Sequence, residues 1–68
     1  MTEVRSGDRV AVSEEAHTVV TCDHIDAIAG KTAHVRAVYE KDNEAFVVAN
    51  PDDEEGSYIP LNLLQRIN

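Results

Sequence analysis

Residues 30–39, Gly-Lys-Thr-Ala-His-Val-Arg-Ala-Val-Tyr, constrain the fold of this chain more than any other stretch. Gly30 takes positive φ without a Cβ clash and can reverse the chain just ahead of a strand. Val35, Val38 and Tyr39 then supply the β-branched and aromatic bulk that suits a pleated, half-buried surface. Strict alternation puts Ala33, Val35, Ala37 and Tyr39 on one face and His34, Arg36 and Val38 on the other. Val38 then points away from the core, and a β-bulge near Arg36 and Ala37 is expected to return it.

Every other strand candidate has to pair with or pack against this one. Upstream, Arg9-Val10-Ala11-Val12 follows the turn residues Ser6, Gly7 and Asp8, with Val10 and Val12 facing the core. Downstream, Glu40-Lys41-Asp42-Asn43-Glu44 is a polar hairpin loop in which Asn43 tolerates left-handed backbone angles. Ala45-Phe46-Val47-Val48-Ala49 reads as a third strand with Phe46 and Val48 as its core pair, and Pro51 helps to end it because proline has no N–H to donate. Asp52, Asp53, Glu54, Glu55 and Gly56 make an acidic turn, and Ser57-Tyr58-Ile59-Pro60 a short strand near an edge. A single helical turn near 61–64 and a brief last strand over 65–68 close the chain. Ile59, Leu61, Leu64 and Ile67 are expected to face one core.

Residues 13–29 form a long early loop. Ser13-Glu14-Glu15-Ala16 reads as polar loop or as one turn of helix, since Ser13 can cap and glutamates suit a helix N-terminus. His17-Thr18-Val19-Val20-Thr21-Cys22 is β-prone by residue type. Ile25 and Ile28, three apart, fit one helical face or two anchors of a loop. The whole stretch reads as an extended excursion over the barrel mouth, with Ile25 or Ile28 tucked beneath it.

Composition sets the limits. Sixty-eight residues make one domain, 1–68, with 43% apolar residues and no tryptophan. A chain of this size buries only about 60% of the surface its unfolded form exposes. Thirteen acidic residues against six basic ones give a net charge of −7. That charge repels phosphate backbones and anionic membranes, and it favours solubility and a basic partner. The one cysteine, Cys22, has no internal disulfide partner, which points to a reducing, cytoplasmic setting. No apolar signal core or bilayer-spanning stretch is present.

The chemistry-bearing residues are few. His17, Cys22 and His24, with Asp23 and Asp26 nearby, are the one cluster of metal-ligand types. Structural zinc needs four ligands at paired spacings, and this scatter does not supply them, so neither a metal nor any other cofactor is expected. Cys22 has His17 or His24 as a candidate base but no orienting group or oxyanion motif, so no catalytic residue is assigned. The loop carboxylates, Asp52, Asp53, Glu54 and Glu55 on one hairpin tip with Glu40, Asp42 and Glu44 on another, could bind a cation, but the 52–55 run lacks the spacing of a calcium loop. They read as solubilising loop tips, or as a mimic of a nucleic-acid backbone. Tyr39 and Tyr58, expected on neighbouring strands, either complete the core or offer a binding surface.

Five short strands with one long early loop suit a small closed or nearly closed barrel, because a flat sheet leaves long unpaired edges. Gly7-Asp8-Arg9-Val10-x-Val12, Gly30-Lys31-Thr32-Ala33-His34-Val35-x-x-Val38 and Ile59-x-Leu61-x-x-Leu64-x-x-Ile67 together resemble the SH3-like small barrels. Among these the pattern is most similar to KOW-type modules and to the accessory subunits of photosynthetic and respiratory complexes. The resemblance covers most of the chain outside residues 13–29. It implies an all-β, five-stranded barrel that binds a protein, with aromatics beside the long early loop as the contact surface. Ala33 stands where the family often has a second glycine. The basic residues of RNA-associated members are largely missing, which argues against direct nucleic-acid binding.

The expected function is therefore a non-enzymatic protein-interaction module, an accessory subunit or small regulator of bacterial or phage origin. Candidate contact residues are Tyr39, Tyr58, Ile25, Ile28, Asp52, Asp53, Glu54 and Glu55. The alternative is an acidic decoy that occupies a basic nucleic-acid-binding protein. The sequence names no partner and leaves the oligomeric state open, self-association included.

Overall fold

The structure is a computed structural model that describes residues 4–20 and 23–67. Strand β1 (Arg9–Val12) is followed by a helical turn, α1 (Ala16–Val19), and a 3-10 turn (Asp23–Ala27). Strand β2 (Thr32–Tyr39), a 3-10 turn (Glu40–Asp42), β3 (Glu44–Val48) and β4 (Ser57–Pro60) come next. A last 3-10 turn (Leu61–Leu63) leads into β5 (Leu64–Arg66). The strands form one antiparallel sheet in the order β4-β3-β2-β1-β5, the arrangement of the expected SH3-like small barrel. The sheet does not close, and β4 and β5 remain as its two edges.

The eight residues of β2 serve two neighbours, β1 along the first half and β3 along the second. His34 pairs with Val48 and Val35 with Val47, but the next partner of β3 is Ala37, opposite Phe46. Arg36 is thus the extra residue of a β-bulge, where the sequence places one. Beyond it, Val38 opposite Ala45 turns inward and packs against the core. Ala37 and Tyr39 accordingly face outward, opposite to the side that strict alternation assigns them.

The turn into β2 depends on Gly30, at φ +74°. Its N–H donates to the Val12 carbonyl (2.9 Å), and the Val12 N–H donates to that of Lys31 (2.8 Å). A Cβ on Gly30 would sit 2.7 Å from the Glu14 Cγ.

Val10, Val12, Ala33, Val35, Ala45, Val47, Ile59 and Leu64 from the strands form the core with Ala16, Ile25, Ile28 and Ala29 from the early loop. Two expectations need correction. On β3 the core pair is Ala45 and Val47, whereas Phe46 lies on the outer side. Val48 is also fully buried, but apart from this cluster. The β3–β4 loop lies over it, so close that a Cβ on Gly56 would fall 2.8 Å from the Val48 Cγ1. Ile67 is 47% exposed rather than in the core. It stands three residues from buried Leu64, and an odd spacing in extended chain sends the two side chains to opposite faces.

Residues 17–20, β-prone by type, belong instead to the helical turn α1 and its C-terminal cap, and a 3-10 turn spans Asp23–Ala27. The other two β-prone positions, 21 and 22, lie outside the described residues. The N–H groups of Ala16, His17 and Thr18 donate to the carbonyls of Ser13, Glu14 and Glu15, and that of Val20 donates to Ala16. The Ser13 hydroxyl accepts the Glu15 N–H (3.2 Å), and the Thr18 hydroxyl donates to the Glu15 carbonyl (2.7 Å). These local bonds and the burial of Ala16 outweigh a weak β preference in Thr18, Val19 and Val20. Both Ile25 (5% exposed) and Ile28 (1%) anchor the stretch from below. Among the described residues no helix is long and apolar enough to cross a membrane.

Two substitutions test this packing. The Ser57 hydroxyl is buried with no hydrogen-bond partner among the described residues, so Ser57→Ala should stabilise the domain by about 1 kcal/mol and raise its melting temperature by about 4–8 °C. Gly56→Ala would drive a Cβ into the Val47 carbonyl oxygen. Thermal unfolding should show it destabilised by about 1–3 kcal/mol.

Candidate interaction face

Register builds the site. Phe46 pairs with Ala37 on one side and Tyr58 on the other, so the three share the outer face of the sheet. One step nearer the β2–β3 turn, Glu44 pairs with Tyr39 and with Pro60 on that same face. The Phe46 and Tyr58 rings meet at 5.1 Å between centroids with planes tilted by 50°. Tyr39 and Tyr58 meet at 5.8 Å and 52°. Tilted contacts of this kind are favourable for rings, whose edges are positive and faces negative. Tyr39 and Tyr58 lie on the strands that flank β3, so their contact crosses above that strand rather than joining neighbours.

The chain has two tyrosines, one phenylalanine and no tryptophan, and this face holds all three rings. Tyr39 is 43% exposed and Tyr58 52%, while Phe46 is half-buried between them. The sequence marks both tyrosines as contact candidates, puts Phe46 in the core and groups Glu44 with the acidic hairpin tip rather than with the rings. Glu44 was the available signal. It shares β3 parity with Phe46, and a charged residue at that parity marks the outer face.

Carboxylates border the rings. Glu44 is half-buried beside Tyr39, and Glu40 and Asp42 sit exposed in the turn that follows it. Among the described residues neither Glu40 nor Glu44 takes part in an ion pair. The turn is held by Asn43 in the left-handed conformation, φ 55°, as its sequence suggests.

At the other end of the sheet, the residues Asp52, Asp53, Glu54 and Glu55 line a shallow concavity. Asp53 has structural work there. Its Oδ2 accepts the Asn50 N–H (3.1 Å), and its carbonyl accepts a hydrogen bond from the Arg36 guanidinium. Asp52, Glu54 and Glu55 are exposed.

Ile25 and Ile28 offer no contact surface, because both side chains are buried beneath the early loop. His17 Nδ1 lies 3.1 Å from Asp26 Oδ1, which ties α1 to the 3-10 turn after it. Among the described residues no three His, Cys, Asp or Glu side chains converge as metal ligands. Cys22 lies outside the described residues. No family model, curated protein or solved structure matches the chain.

Stability measurements separate anchor from surface. Ile28→Ala should cost about 2–5 kcal/mol in chemical denaturation. Tyr58→Leu, which keeps apolar bulk and loses a ring contact, should cost no more than about 1.5 kcal/mol.

Proposed function

We propose that the protein is a non-enzymatic interaction module, an accessory subunit or small regulator that engages a protein partner through the face of Tyr39, Phe46 and Tyr58. One observation carries this reading: the chain's two tyrosines and its phenylalanine stand together, Tyr58 in contact with both other rings, outside a core of Val, Ile, Leu and Ala. In a domain this small the largest apolar side chains are the strongest source of stability when buried. Their grouping on the outside suits a contact surface, where tyrosine combines apolar area with a polar tip and few rotors to freeze. The resemblance to KOW-type modules and accessory subunits supports a partner-bound role. Net charge and the single cysteine support a cytoplasmic setting.

The acidic-decoy reading draws on a different observation, the exposed carboxylates of Asp52, Glu54 and Glu55 on a single loop. The two readings separate by salt and by mutation. Partner captured from source-cell extract and then purified should lose about thirtyfold in affinity to the double variant Tyr39→Ala/Tyr58→Ala, the scale of a contact hot spot. The triple variant Asp52→Asn/Glu54→Gln/Glu55→Gln should change it by less than about threefold. A steep salt dependence removed by the triple variant, with the tyrosine variant unaffected, would establish the decoy instead.

A further inference from the structure

We infer that the occupant of this face is a basic polypeptide segment, with an arginine or lysine side chain laid over the Tyr39 and Tyr58 rings and neutralised by Glu44. The inference rests on reading the face as the partner surface and specifies what the partner brings to it.

The chemistry converges from two directions. A cation is attracted to the face of an aromatic ring when it lies within about 6 Å of the centroid. Here two tyrosine rings 5.8 Å apart are each about half open to solvent. Glu44 is their neighbour by register, opposite Tyr39 on the same face, where cross-strand side chains interact directly. The residue is half-buried on its strand, and no ion pair with a described residue offsets its charge. A cation on the rings would therefore satisfy the ring faces and this carboxylate together. Glu40 and Asp42 add exposed negative charge at the same end. Guanidinium fits best, since it stacks on a ring while forking onto a carboxylate.

Other occupants fit less well. A second copy of the chain would bring Glu40 and Glu44 against their equivalents, on a molecule of net charge −7. Nucleic-acid bases stack on exposed rings, but such platforms need a basic groove for the backbone. The nearby cations form no such groove: Lys41 is flanked by Glu40 and Asp42, the Arg36 guanidinium is bonded to the Asp53 carbonyl, and Arg5 shares a concavity with Glu40. A wholly apolar peptide would strip water from the Glu44 carboxylate and return nothing to it.

The site carries its own probe. Both tyrosines lie on this face and the chain has no tryptophan, so intrinsic fluorescence reports the site directly. Full-length protein is titrated with an acetylated Gly-Arg-Gly-Arg-Gly-Arg peptide, with the same peptide carrying Gln for Arg, with a Gly-Leu peptide and with oligothymidine. The arginine peptide should change tyrosine emission saturably, and the glutamine peptide should bind at least about tenfold more weakly. Tyr39→Leu and Tyr58→Leu, confirmed folded by circular dichroism, should each weaken arginine-peptide binding by about threefold to thirtyfold. Glu44→Gln should weaken it and flatten its salt dependence. No saturable response to the arginine peptide, equal binding of the arginine and glutamine peptides, or tighter binding of the Gly-Leu peptide or of oligothymidine overturns the inference. If the captured partner still depends on Tyr39 and Tyr58 in that case, the interaction face survives and only its preference for a cation is lost. If the tyrosine variants alter neither partner nor peptide binding, both fall together.

Discussion

The β-bulge at Arg36 is the constraint on which the rest of the structure depends. A single extra residue in β2 reverses side-chain parity for everything after it. Before the bulge Ala33 and Val35 face inward; after it Val38 does, and Ala37 and Tyr39 are turned out. The break in the ladder is satisfied by the chain's beginning. The Ser6 hydroxyl donates to the Arg36 carbonyl (2.8 Å), and the Gly7 N–H donates to that of Val35 (2.8 Å). Backbone groups that the bulge leaves unpaired thus find partners in the segment just ahead of β1. The Arg36 side chain, freed from the ladder's pairing, reaches the Asp53 carbonyl and helps to fix the acidic β3–β4 loop.

The interior that results is narrow, and that decides where bulk goes. Ala45 and Val47 from β3 face Val35 and Ile59, and each of the four is buried to within 2%. Small inward side chains on a central strand suit the restricted interior of a small, strongly curled sheet. A phenylalanine at position 45 or 47 would overfill such a space, so the ring at position 46 belongs to the outer side. The aromatic face and the compact core are two consequences of one register.

How much of this was legible follows from where the sequence carried one pattern and where it carried two. The Gly30 turn, the valines of β1 and the bulge in β2 were readable, because in each case only one arrangement put the apolar residues inside. The run Ala45-Phe46-Val47-Val48 is apolar on both faces and gives no parity of its own. Ranking by bulk then favoured Phe46, although Glu44 two residues earlier already marked that side as the outer one. Ile67 failed through its odd spacing from Leu64, which suits a helical turn but not an extended strand. Residues 13–16 read equally as loop or helical turn, and the β preference of residues 17–20 hides that the turn continues to Val19, held by local backbone bonds and the Thr18 hydroxyl. The two tyrosines were found as candidates, yet their contact was not, since it spans a strand and exists only once Phe46 is turned outward.

Charge and register meet on the outer face in a way that neither fixes alone. Acidic residues outnumber basic ones about two to one, so negative neighbours are to be expected almost anywhere on this surface. What register adds is that Glu44, a half-buried residue, is held beside Tyr39 on a strand rather than on a loop. The carboxylates of the β3–β4 loop differ in this respect: Asp52, Glu54 and Glu55 are exposed, and exposed charges are screened within about 10 Å at ordinary salt. Exposed loop charges act on a partner from a distance, whereas a carboxylate fixed on a strand beside aromatic rings acts at contact. The bulge therefore does more than set which side chains fill the core. By turning Tyr39 outward it sets a ring opposite Glu44 on the outer face, and the proposed recognition rests on that one pairing.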